Sequence, residues 1–326
     1  WLSVILGLLL TVSGIVMLSR FGSAVTASGF MQKRHDPVSC KKNAPLQFPT
    51  GLIVLGALPP FWDYTTSGME TGLCTAWISA CALILLQRNS SWPATLMCAA
   101  MLGLGPLVRP DFAIFSAVFI AAFVFPQRKD VKRCVAVALA AAALPVLYEL
   151  FRMGYYGSLV PNTALAKEAS RILLARGANY VWSVVGTYWL LVPGVVIFFS
   201  TAGIFLRHDD LPARLAILAL PTAGFMHMAY LTLIGGDYMH GRLLLPAITA
   251  IVAPVAITGI ALPLTLSSLR KQAFALLAPA AVLIWAVFAS WYARYDSVWP
   301  SPLDTRAFMV KTAGVPHPVT LADYQH

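Results

Sequence analysis

The chain has 326 residues, 59% of them hydrophobic and only 11% charged, with a mean hydropathy of +0.74. A soluble domain carries about 25% charged residues, so this composition excludes an ordinary soluble globular protein and implies an integral membrane protein. The formal net charge of +10 raises nucleic-acid binding as a class, which the placement of the charges then removes.

Residue 1 is a Trp inside an apolar run, with no basic segment before it. That is not the pattern of a signal peptide, and the chain is expected to be a fragment cut at its N-terminus. Ten apolar segments can be drawn, at about 1–19, 46–62, 71–87, 93–108, 112–126, 134–151, 180–206, 213–234, 243–266 and 272–292. They lack period-2 alternation and are rich in Leu, Ala, Val and Ile, which predicts spanning helices rather than barrel strands. The expected fold is therefore an all-α, multi-span helical bundle with about ten membrane segments. The runs at 93–108 and 112–126 fall short of the ~20 residues a span needs and are marginal. A transmembrane core over 1–292 is followed at 293–326 by a stretch with Pro300, Pro302, Pro316 and Pro318. That tail reads as the start of an external soluble region, itself cut short. The five cysteines show neither metal spacing nor a disulfide framework.

If the segments alternate in direction, one side receives fourteen Lys and Arg against four Asp and Glu, and the other side nine of each. The positive-inside rule makes the first side cytoplasmic. The basic balance is then a topology signal, not an affinity for nucleic acid.

The polar motifs fall on the opposite face. Gly235-Gly236-Asp237-Tyr238-Met239-His240-Gly241-Arg242 gathers an acid, a phenol, an imidazole and a guanidinium in a hinge between two apolar runs. Arg242 offers a planar fork suited to phosphate, and Asp237 can orient a sugar hydroxyl or a metal. The bland alternative is a local Asp237–Arg242 ion pair closing the turn. Glu70 opens the third segment, where Ser67 and Glu70 also fit a helix capping box. Arg109-Pro110-Asp111 holds an Arg and an Asp together in a tight turn. The loop from Tyr155 and Tyr156 through Asn162 to Lys167 and Arg171 combines sugar-stacking rings with hydrogen-bonding groups. It reads equally as an amphipathic interfacial helix behind an aromatic belt. Three features are discounted. Asp209-Asp210 lies with the cytoplasmic loops, His227 in its apolar helix reads as a packing residue, and the sequon Asn89-Ser90-Ser91 lies in a cytoplasmic turn.

These motifs together resemble the GT-C superfamily of membrane glycosyltransferases, in the branch of the actinobacterial arabinofuranosyltransferases and the related flagellar motor control proteins. The stretches that carry the resemblance are Ser67 to Leu73, Arg109-Pro110-Asp111, Tyr156-Gly157 with Pro161-Asn162-Thr163 and Lys167, Gly235 to Pro246, and His317 to Thr320 with Asp323-Tyr324. The resemblance implies a helical bundle with an active cavity open to the periplasm of a bacterial plasma membrane. It implies a polyprenyl-phosphate sugar donor, arabinofuranose as the sugar transferred, and a cell-wall glycan acceptor; no cofactor beyond the lipid-linked donor is called for. Its principal catalytic acid belongs to a first external loop, which this chain is expected to lack, leaving the fragment alone inactive. Asp237 and Glu70 are the catalytic candidates. His240, Arg242, Arg109, Asp111, Asn162, Lys167 and Tyr156 are the substrate-binding candidates, and no metal ligands are assigned. The alternative class is a transporter, or an envelope or flagellar assembly factor without catalysis. Charges clustered at one surface, with no internal repeat, favour the enzyme.

Overall fold

The computed structural model describes residues 1–32, 46–87, 91–157, 172–237, 239–260, 269–293 and 310–315. In chain order its elements are helix α1 (Leu2–Gln32), strand β1 (Leu46–Phe48) and helices α2 (Thr50–Gly56), α3 (Pro59–Thr65), α4 (Thr71–Leu86) and α5 (Trp92–Gly103). Helices α6 (Ala113–Val124), α7 (Val131–Tyr156), α8 (Leu174–Thr187), α9 (Leu191–Phe205), α10 (Leu211–Ile234) and α11 (Leu244–Val252) follow, then strand β2 (Thr258–Ile260) and helix α12 (Leu269–Val287).

The expected ten membrane segments do not appear. Among the described residues four stretches are long and apolar enough to cross a bilayer: Leu2–Gly29, Pro110–Gln127, Val131–Tyr156 and Leu211–Ile234. A fifth arises only if α8 and α9, bent by 87°, count as one span. Proline and glycine explain much of the difference. The run at 46–62 opens as β1 and is divided by Pro49 and Pro59-Pro60 into two seven-residue helices. Proline begins a helix readily, because its missing N–H falls where no partner is needed. The run at 93–108 is a 12-residue helix that ends before a short turn at Gly105-Pro106. The run at 243–266 leaves α11 at Val252, turns over Pro254 and pairs as β2 with β1, Leu46 opposite Ile260 and Phe48 opposite Thr258. Among the described residues the chain is thus helical but for one antiparallel pair.

Close backbone packing holds α1 in the bundle. Gly7, Gly14, Gly22 and Gly29 recur every seven or eight residues and so lie along one helix face. A Cβ added at Gly14 would stand 3.0 Å from the Ala76 nitrogen, and one at Gly22 only 2.5 Å from the Ile257 nitrogen. Small residues let helices approach this closely, which matters most where lipid supplies no hydrophobic drive for association. The core behind them is aromatic: Phe112, Phe115 and Phe119 are fully buried, with the Trp77 ring 5.6 Å from Phe112 and 5.9 Å from Phe119. The outer faces are apolar as well. Leu139, Leu147 and Phe151 of α7 and Phe198 and Phe199 of α9 are exposed, as lipid-facing helices require.

Helix α1 also marks two ends. Gly7 lies beside Thr65 and Met69, while Gly29 lies beside His208. The first end collects Glu70, the Arg109 turn and the segment after α10. The second collects the turns around Arg128–Asp130 and Arg207–Asp210, where Asp130 and Asp210 cap α7 and α10.

Candidate functional site

The segment after α10 is shaped by glycine. Gly235, Gly236 and Gly241 have φ of 89°, 70° and 73°, a left-handed region that side chains rarely adopt. Gly235 ends the helix, with its N–H on the Leu231 carbonyl. Gly236 lets the chain pass directly over the Tyr180 ring, where any Cβ would collide. The Tyr180 hydroxyl accepts from the Leu243 N–H at 3.1 Å and donates to the Met239 carbonyl at 3.3 Å. One buried phenol on α8 therefore ties together both ends of the 239–243 turn.

Arg242 emerges from that turn, meets Glu70, and through it is linked to two further segments. Its Nη2 donates to Glu70 Oε1 at 2.8 Å, and Arg109 Nη1 donates to the same oxygen at 3.2 Å. Arg109 then grips Asp111 with two parallel bonds, Nε to Oδ1 at 3.0 Å and Nη2 to Oδ2 at 3.1 Å. His227 Nε2, from within α10, lies 2.7 Å from Asp111 Oδ2. The result is a chain of alternating charge, Arg242–Glu70–Arg109–Asp111, closed by the His227 ring, across four stretches of sequence. The Arg242–Glu70 end is the more exposed, 20% and 29%, against 12% at Asp111 and none at His227.

The electrostatics follow from this pairing. Burial pushes the Glu70 carboxyl up, but the Arg242 hydrogen bond and the charges of Arg242 and Arg109 outweigh it and hold it below the ordinary value of 4.5. Burial works against the charged form of Arg242, and the Glu70 bond more than restores it, so its pKa lies above the usual guanidinium value. Both groups are ionised. Both arginine contacts converge on Glu70 Oε1, and the carboxyl also takes a hydrogen bond from the Glu70 backbone N–H. Among the described residues no group of three or more His, Cys, Asp or Glu side chains is placed to hold a metal ion.

No known family profile matches the chain, and no solved structure matches it. Among curated proteins it is 32% identical over 321 residues to the terminal beta-(1->2)-arabinofuranosyltransferase of Mycobacterium tuberculosis, a match covering 86% of this chain and 50% of that protein. It is 32% identical over 254 residues to the protein of the same name from Corynebacterium glutamicum, covering 67% of this chain and 36% of that one. The chain is homologous to these arabinofuranosyltransferases. It spans half or less of the length of the curated relatives it matches.

Within this arabinofuranosyltransferase relative, Glu70, Arg109, Asp111 and Arg242 come together at one end of the bundle. The capping-box alternative for Glu70 does not hold. Glu70 itself occupies the cap position of α4 with no side-chain capping bond, and Ser67 Oγ donates instead to the Tyr64 carbonyl. The local Asp237–Arg242 pair is only a loose one, at 3.8 Å. Asp237 and His240 are buried, the His240 ring 5.8 Å from Tyr188. Tyr156 stands exposed at the end of α7 against Tyr155, and no hydrogen bond, ion pair or ring contact joins it to the cluster among the described residues. Asn162, Lys167 and Tyr238 lie outside the described residues.

Two residues of the site were not singled out by motif. Tyr180 belongs to the buried stripe Gly177, Tyr180, Ser183 and Val184 of α8, a spacing legible as one helix face. His227 is a buried packing residue, as expected, but it also has an acid partner. An ionisable group inside an apolar helix is the signal that could have found it.

Proposed function

We propose that the protein is a membrane glycosyltransferase that moves an arabinofuranosyl group from a polyprenyl-phosphate donor to a cell-wall glycan, on the external face of a bacterial plasma membrane. The observation that carries this reading is the convergence of Arg109 and Arg242, 39 and 172 residues away in sequence, on one Glu70 oxygen. The relatives named arabinofuranosyltransferase support the sugar.

In the proposed reaction an acceptor hydroxyl attacks the anomeric carbon. The new C–O bond forms as the bond to the donor phosphate breaks, and the hydroxyl proton passes to a carboxylate. Arg242 is the cation for the departing phosphate. Its Nε is buried and has no hydrogen-bond partner among the described residues, leaving a donor beside the Nη2 that Glu70 holds. Glu70, with its proton affinity lowered, serves less as a base than as the anchor that aims Arg242. Asp237 on the hinge is the proposed proton acceptor, with His240 beside the sugar. Asp111, occupied by Arg109 and His227, sets the geometry behind them rather than touching substrate. Lys167 and Asn162 remain proposed donor contacts, and Tyr156 a proposed stacking ring.

The test is transfer by the complete protein in its membrane, using a radiolabelled polyprenyl-phosphate arabinofuranose and an arabinan acceptor. Arg242→Lys and Glu70→Gln are each expected to lower kcat/KM about 100-fold without loss of folded protein, because lysine cannot make the forked contact and glutamine cannot balance two guanidiniums. Failure of the wild type to transfer, or near-normal transfer by both variants, would overturn the reading.

A further inference from the structure

The proposed chemistry engages the exposed half of the charged chain and leaves its buried terminus, His227, without a task. His227 lies seven residues before the end of α10, about 10 Å down the helix at 1.5 Å per residue, and is completely buried. Its ring packs 5.0 Å from Phe115 and 6.0 Å from Phe112. Packing alone would be met equally well by Phe or Leu, at no desolvation cost. What it does not explain is the 2.7 Å contact to Asp111.

We propose that His227 is the positioning residue of the site, locking Asp111 so that Arg109 and, through it, Glu70 and Arg242 are held in register. A carboxylate oxygen only accepts, so His227 Nε2 carries the hydrogen and donates. Asp111 Oδ2 then has two donors, His227 Nε2 and Arg109 Nη2, and Oδ1 has Arg109 Nε. With both oxygens fixed, the carboxylate cannot rotate, and the planar fork of Arg109 has one orientation. That orientation directs Arg109 Nη1 to Glu70 Oε1, the atom that also holds Arg242. Without the His227 N–H, Oδ2 keeps a single donor in a nearly closed site. The Asp111–Arg109 pair is then free to swing, and Glu70 is left to Arg242 alone. His227 touches none of the groups proposed to meet substrate, so its effect on them passes through Asp111.

Two amides separate this role from packing. In His227→Gln an amide N–H falls close to the Nε2 position and can still reach Asp111. In His227→Asn it falls near Nδ1 and cannot. In the full chain in its membrane, Arg109 is probed with phenylglyoxal, an arginine-specific reagent, and its modification is mapped by peptide mass spectrometry. The expected result is wild-type protection in the Gln variant and about tenfold faster modification in the Asn variant, with matching unfolding temperatures. Arabinofuranosyl transfer is measured alongside, where this inference rests on the proposed function. There the Asn variant is expected to lose about tenfold in kcat with little change in donor KM, and the Gln variant to retain both. Equal protection of Arg109 in the two variants, or equal loss of kcat in both, would overturn the assignment. If the Asn variant does not fold, Asp111→Asn replaces it and is expected to expose Arg109 to the same degree; continued protection would again overturn it. A wild type without transferase activity would count against the proposed function alone, since Arg109 protection still decides the role of His227.

Discussion

At the scale of single residues the site is governed by how charge is shared. Glu70 neutralises two guanidiniums with one oxygen, and each arginine has a further carboxylate close by, Asp111 for Arg109 and Asp237 for Arg242. Pairing of this kind is worth more where water is partly excluded, and removing one partner leaves the other charge exposed to the desolvation cost. The consequence for pH has a definite sign. Because folding lowers the Glu70 pKa below 4.5, its contribution to stability is fully present above that value and is lost as pH falls through the lowered one. The unfolding-temperature difference between wild type and Glu70→Gln should therefore be largest near neutrality and shrink as pH is taken from about 6 to about 3. A wild-type advantage that grows on acidification would mean that the carboxyl is protonated in the folded state, contrary to the pairing described.

At the scale of elements, the bundle depends on where glycine is and is not needed. Gly22 of α1 faces the backbone at Ile257, and Gly203 of α9 has nothing within 4 Å of where a Cβ would sit. Gly22→Ala is expected to destabilise by about 1–3 kcal/mol, since backbone rather than a flexible side chain must give way. Gly203→Ala is expected to be neutral or to stabilise by up to about 1 kcal/mol, by lowering the entropy of the unfolded chain. Thermal unfolding of the two variants in the same membrane mimetic checks this, and equal effects would show that the α1 stripe is not a close-packed seam. The same logic places α8: Gly177 sits directly on the Thr232 carbonyl of α10, which brings Tyr180 over Gly236. A helix bent 87° away from its successor thereby becomes the clamp on the loop that carries Arg242.

At the scale of the whole molecule, the two ends differ in character. One holds the network of Glu70, Arg109, Asp111 and Arg242, with acids and bases interleaved. The other exposes Arg128, Lys129 and Arg133 beside Asp130. Together with the positive-inside rule this assigns the second end to the cytoplasm as a proposal. Single cysteines at Thr66 and Lys129, both exposed and at opposite ends, test it in intact cells with native cysteines removed. Thr66→Cys should react with an impermeant thiol reagent from outside, and Lys129→Cys should not. The reverse pattern would invert the topology and remove an external donor site from consideration.

The sequence by itself determined the class of molecule, because a shortage of charge and long Leu- and Ala-rich runs leave the chain few places to fold but a membrane. It also marked Glu70, Arg109, Asp111, Asp237 and Arg242, since ionisable groups beside apolar runs and glycines that demand left-handed backbone are local properties. It overcounted the spans, because hydropathy averages over proline breaks that only backbone geometry resolves, as at Pro49, Pro59 and Pro254. The seven- and eight-residue glycine spacing of α1 was present in the chain, but its meaning depends on which helix lies opposite. Which partner each charge takes was decided by tertiary structure alone. Asp237 and Arg242 are five positions apart, yet Arg242 makes its shorter contact with Glu70, 172 residues away, and His227 finds Asp111, 116 residues away. Sequence distance says little about such pairs, because the ends of antiparallel helices bring remote turns to the same place, and there burial makes an unpaired charge too costly to leave.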